Sequence, residues 1–112
     1  MEIVRARIEG ESIRDWNSFH DEFQRVFGFP DFYGRNMNAW IDCMTSLASP
    51  GDGMTKIHCP AGGALVLEIP DAKDLKKRRP ELLEAILECA AFVNFRLLDA
   101  GESPVLIISC DA

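Results

Sequence analysis

Three sets of residues in this chain have types that could do chemistry. Asp31 and Asp42 are the nearest carboxylate pair in the aromatic stretch 29–47 (FPDFYGRNMNAWIDCMTSL). They straddle a loop, and nothing in their spacing makes them converge as an acid–base pair. His58 and Cys59 are contiguous, and on an extended chain adjacent side chains point apart. The cysteines at 43, 59, 89 and 110 include no C-x-x-C pair, so no zinc site is expected, and free thiols fit a reducing cytoplasm. No glycine-rich phosphate loop and no Ser-His-Asp order is present. An enzyme needs a nucleophile, a tuned acid–base pair or a metal. The chain is therefore expected to be no enzyme, with no catalytic residues, metal or cofactor.

What remains is a residue that could bind by charge, Asp42, and the elements around it must hold it in place. Pro30 forbids a continuing helix because it lacks an N–H and restricts the residue before it. Gly34 offers backbone freedom that no residue with a Cβ has. Asn36 suits a helix N-cap. From Met37 the apolar residues fall at 37, 40, 41, 44, 47 and 48, which is helical spacing. Asn38, Asp42, Thr45 and Ser46 then share the opposite face. One side is glue. The other is a small polar display centred on Asp42, with an aromatic loop beside it.

This stretch resembles the barstar family, small intracellular inhibitors of secreted microbial ribonucleases. The resemblance rests on Pro30, Asp31, Phe32-Tyr33, Gly34, Asn36, Ala39, Asp42-Cys43 and Thr45, ungapped in this sequence. It implies a small three-stranded parallel sheet packed with helices, an α/β fold. It also implies a partner, a basic microbial ribonuclease or related toxin protein. A site that holds RNA phosphates is cationic, and one carboxylate on a rigid helix can replace a phosphate there, accepting charge-assisted hydrogen bonds. The resemblance gives that part to Asp42 and the packing aromatic to Phe32. Gly34 would let the loop backbone approach closely. Asn36, Asn38, Thr45 and Ser46 would form a polar rim, with Met37 and Ile41 completing the partner-binding set. The reading needs this acid to stand alone: a carboxylate turned inward, or neutralised by a guanidinium of the same chain, would sink it. The chain departs from the best-known family pattern. Arg35 and Asn38 stand where acids are expected, Ile41 where a Trp is, and Phe95-Arg96 where the last helix has a contact acid. Weaker steering toward a basic enzyme follows, and a non-ribonuclease partner for the same fold is the alternative.

The rest of the chain fits one domain over residues 1–112. Its length allows about 65% of the unfolded surface to be buried without a staple. A net charge of −6 repels nucleic acid phosphates and attracts a basic protein, but solubility is the commoner reason for an acidic surface and is the reading that charge alone favours. No signal core and no run of 18 apolar residues is present, so no membrane association is expected.

Residues 2–8 read as a strand followed by a Gly10 turn. Ser12 with Asp15 reads as a capping pattern for a helix ending at Gly28, with Ile13, Trp16, Phe19, Phe23, Val26 and Phe27 as its stripe. His20 reads as a surface histidine on that helix. The 50–63 segment reads as an insertion, with a short extended piece at 54–59 forming a hairpin with the strand that follows. Runs 64–69 and 105–108 read as buried strands, the first covered on both faces. Asp71 reads as the cap of a short helix through Lys77. The basic run 76–79 reads as a solvated C-terminal cap rather than a nucleic acid site. Pro80 starts the last helix, whose wide apolar surface (Phe92, Phe95 and Leu98 beyond the main stripe) reads as burial, with a homodimer seam as the alternative. A monomer or weak homodimer is expected.

Overall fold

The computed structural model describes all 112 residues. The chain runs β1 (Ile3–Arg7), a 3-10 turn (Gly10–Ser12), α1 (Trp16–Phe27), α2 (Met37–Thr45), a second 3-10 turn (Pro50–Asp52), β2 (Ala64–Ile69), α3 (Ala72–Arg78), α4 (Pro80–Asp99) and β3 (Leu106–Cys110). The strands pair parallel in the order β1-β2-β3, with Arg5 opposite Val66 and Val66 opposite Ile107. Parallel neighbours cannot be joined by a tight turn, so helices carry each crossover. This is the small three-stranded parallel α/β fold the resemblance implies.

One sheet face meets the helices. Ala6, Ile8, Leu65, Leu67, Ile69 and Leu106 are buried there with Phe19, Phe23, Phe27, Trp40, Met44 and Leu47. The other face carries Ile3, Arg5, Val66, Glu68, Ile107 and Ser109, none of them fully buried. The expectation that β2 is covered on both faces is thus corrected: Val66 and Glu68 are only half-buried. Its apolar sequence reflects its central place in the sheet, where both neighbours shield it.

The first helix begins later than its sequence suggests. Asp15, not Ser12, is the N-cap: its carboxylate accepts the Ser18 N–H at 2.8 Å, and Ser18 Oγ accepts the Asp15 N–H at 3.0 Å. Ser12 closes the 3-10 turn instead. Asp71 precedes α3 but makes no cap bond there. Its two oxygens accept the N–H groups of Gly10 and Glu11 at 3.0 and 2.8 Å. The basic run is less solvated than expected. Arg78 donates to the carbonyls of Ile13 and Gly10, and Arg79 to that of Arg14. These bonds lace the α3–α4 junction to the entry of α1.

No strand forms in 50–63, and no hairpin with β2. The segment lies across the ends of the first two helices: Lys56 N–H donates to Phe27 O and Cys59 N–H to Leu47 O, both at 2.9 Å. Helix carbonyls left open at a C-terminus seek such donors. On α4, Leu82, Leu83, Ile86, Ala90, Val93 and Leu97 face the core, while Phe92, Phe95 and Leu98 are exposed. The burial expected for these three is corrected. Asn94 ties α4 to β3, donating to Leu106 O and accepting from the N–H groups of Val105 and Leu106.

Candidate functional site

The loop 28–36 and α2 build the site. Gly28 ends α1 in the left-handed conformation, φ 68°. The chain then folds back so that Phe29 and Tyr33 are buried against α1, their ring centroids 4.7 Å apart. Tyr33 N–H closes a turn onto Pro30 O at 2.9 Å. With Tyr33 turned in, its neighbour Phe32 is turned out and is 76% exposed.

His20 anchors this loop, which the sequence does not show. It is buried, not on the surface, and its Nδ1 lies 2.5 Å from the Tyr33 hydroxyl. Trp16, Phe19 and Tyr33 surround the ring. Burial, with help from the Arg35 charge, holds His20 below its ordinary pKa, against a smaller opposite effect of Asp21. Burial likewise pushes the Tyr33 phenol up, so it stays protonated. The histidine is a neutral hydrogen-bonding post.

Where the loop enters α2, the left-handed residue is Arg35 at φ 54°, not Gly34, whose φ is not positive. A non-glycine residue there is strained by about 1–3 kcal/mol and persists only when its surroundings hold it. Here α1 holds it: the Arg35 guanidinium donates to Asn17 O, Asn17 Oδ1, Asp21 Oδ1 and Gln24 Oε1. Arg35 thus faces α1 and fixes the path of the loop.

Asn36 caps α2 as expected, its Oδ1 accepting the Ala39 N–H at 2.8 Å. The helix carries Asn38 and Asp42 to the surface, while Met37 and Ile41 are half-buried against the core. Thr45 bonds back to Ile41 O at 2.6 Å, and Ser46 Oγ is taken by Asp52 at 2.8 Å. Phe32, Gly34, Asn36, Asn38 and Asp42 are therefore the exposed part of the predicted set; Met37, Ile41, Thr45 and Ser46 are half-buried. Between Phe32 and Asp42 lies a cleft of about 160 Å³, also lined by Tyr33, Gly34, Ala39, Cys43 and Met54. Met54, from the irregular segment, has no sequence signal linking it to this place.

Asp42 is not alone. Arg96 of α4 donates from Nη1 to Asp42 Oδ1 at 3.1 Å, across 54 residues of sequence. The expectation of an unpaired acid is corrected. α4 packs against α2 and delivers a cation to the acid. The pair is open to solvent, with Asp42 60% and Arg96 43% exposed. Such pairs are worth about 0.2–1 kcal/mol. Asp42 Oδ2 accepts nothing from the chain.

The neighbourhood holds no activated nucleophile. Burial, then the Asp42 charge, pushes the Cys43 thiol up to about 11. Burial also raises Cys59, and Cys89 with a contribution from Glu88. The thiolate is the reactive form, so none of these three is poised to attack. All four cysteines are free, and no group of three His, Cys, Asp or Glu converges as a metal site. No helix is long and apolar enough to cross a membrane.

The site is thus a loop with two buried rings and one exposed acid on a short capped helix, set on a small parallel sheet backed by helices. The family model described as Barstar (barnase inhibitor) matches residues 3–108, and the chain belongs to that family. It is similar to the Bacillus subtilis (strain 168) protein named "Putative ribonuclease inhibitor YrdF", at 40% identity over 38 residues. That match covers 34% of this chain and 42% of the relative.

Proposed function

We propose that this protein binds and blocks the active site of a small basic microbial ribonuclease, with Asp42 standing in for a substrate phosphate. The observation that carries this reading is the placement of Phe32 and Asp42 on either side of one cleft, both strongly exposed, on a loop and helix fixed from behind. A ribonuclease cleft must be cationic to hold RNA. A carboxylate held on a capped helix enters it without the ordering cost a flexible side chain would bear. Asp42 Oδ2 is free to accept a partner's donor at once. Oδ1 becomes available when a surface ion pair of small worth gives way. Phe32 supplies a large apolar contact next to the charge, and Gly34, Asn36, Met37, Asn38, Ile41, Thr45 and Ser46 surround it as the rim. The compartment we assign is reducing cytoplasm, where four free thiols persist.

The experiment is inhibition of barnase, used as the probe ribonuclease, by the wild-type chain and by Asp42→Ala. The substitution should weaken inhibition by at least about thirtyfold, as loss of a central charged anchor does. The melting temperature should stay within about 5 °C, because only an exposed pair is lost. Equal inhibition by both proteins would refute the role of Asp42. The Asp42–Arg96 pair favours a second reading, in which the same face serves as an immunity or interaction module for a non-nuclease partner. Recovery of such a partner through Phe32 and Asp42, with no inhibition of ribonuclease, would select it.

A further inference from the structure

Arg96 differs from the well-anchored arginines of this chain. Arg35 makes four hydrogen bonds to α1, and Arg78 makes three, to Asp74, Gly10 and Ile13. Arg25 grips both oxygens of Glu22. Those guanidiniums are structural ties. Arg96 makes one bond, through Nη1 to Asp42 Oδ1, and its other N–H groups bond nothing in the chain. Its exposed neighbours on α4, Phe92 and Phe95, are apolar, with ring centroids 6.3 Å apart. No other hydrogen bond holds the Arg96 head in this position. It rests on the one acid that the proposed face offers to a partner.

We propose that Arg96 is a specificity-determining residue that competes from within the chain for Asp42. This rests on the reading of Asp42 as the partner-binding acid. In the free protein the guanidinium occupies Oδ1, and its positive charge offsets part of the attraction an approaching cationic surface would feel. A partner then meets a like charge before it meets the acid, and it must displace Arg96 to reach both oxygens. A like charge at an interface works against the wrong partner, and placed at the rim it acts mainly on the rate of association. A partner that delivers its cations rigidly clears this threshold. A merely basic surface does not.

The test is association kinetics with barnase as the probe, for wild type, Arg96→Ala, Arg96→Glu, Asp42→Ala and the Asp42→Ala/Arg96→Ala double variant. Arg96→Ala should raise the affinity about two- to fivefold, the worth of the exposed pair it abolishes. Arg96→Glu, which reverses the charge, should raise the association rate on the order of tenfold at low salt. Both gains should shrink as salt screens them. In the Asp42→Ala background, Arg96→Ala should gain less than it does in wild type, because the acid it competes for is gone. Unchanged or weaker binding by Arg96→Ala, while Asp42→Ala still loses binding, overturns the inference and leaves the reading of Asp42 intact. Binding by Asp42→Ala equal to wild type overturns both. Failure of wild type and every variant to bind barnase at about 100 μM overturns the reading of Asp42 and the inference together.

Discussion

Tyr33→Phe isolates the contact that anchors the loop 28–36. The substitution removes one oxygen and keeps the ring, so the packing on Phe29 and His20 survives. It also leaves His20 Nδ1 buried without its 2.5 Å partner. A buried polar atom stripped of its partner costs about 1–3 kcal/mol, whichever of the two groups carried the proton. Urea unfolding reads this directly. With a slope of about 2 kcal/mol/M for a domain of this size, the midpoint should fall by about 0.5–1.5 M at constant slope. The mechanism makes a second demand. In a His20→Phe background no polar atom is left to strand, so Tyr33→Phe should cost much less there. An unchanged midpoint in the single variant would refute the account. So would an equal loss with and without His20, which would trace the effect to packing alone.

His20 has its pKa depressed in the folded protein, chiefly by burial, from an ordinary value of 6.5. The unfolded chain therefore takes up a proton that the folded chain resists. The stabilisation is complete above about pH 6.5 and is lost as the pH falls from there toward the folded value, at up to about 1.4 kcal/mol per pH unit. Urea midpoints between pH 7.5 and 5 should show this decline, and a His20→Phe variant should lack that part of it; superimposable profiles would exclude the effect. Gly63→Ala should destabilise by about 1–3 kcal/mol, because the new Cβ would lie 2.1 Å from the Glu2 carbonyl oxygen. That oxygen accepts the Ala64 N–H that opens the β1–β2 ladder, so a denaturation midpoint equal to wild type would show that the strands can part there at no cost.

The element order and α2 were readable from sequence because their signals are local. The Asn36 cap and the apolar repeat from Met37 to Leu47 need no knowledge of the rest of the chain. What sequence missed depends on chain folding back. His20 looks like a surface residue when only its own helix is considered; the loop carrying Tyr33 buries it. Asp71 has the type and position of a helix cap, but Gly10 and Glu11 offer it two N–H groups from 60 residues away. Thr55 to Cys59 have residues that suit a strand, yet they pair with helix ends, which leave no periodicity to read. Phe92, Phe95 and Leu98 show that an apolar residue on a long helix need not be covered. At the candidate site, the departure at Arg96 was visible as a type. Its contact with Asp42 was not, since only the packing of α2 on α4 brings the two together.

A sheet of three parallel strands with helices on one side has two free borders and a bare back. Each border strand is only five residues long. Arg5 and Arg7 stand exposed along the first, and at the other border exposed Ile107 is followed by exposed Ser109. Short length and outward charge are what discourage another chain from adding itself as a fourth strand. The arginines of β1 put that charge on the side of the molecule turned away from the helices, while the β3 border has only its short length.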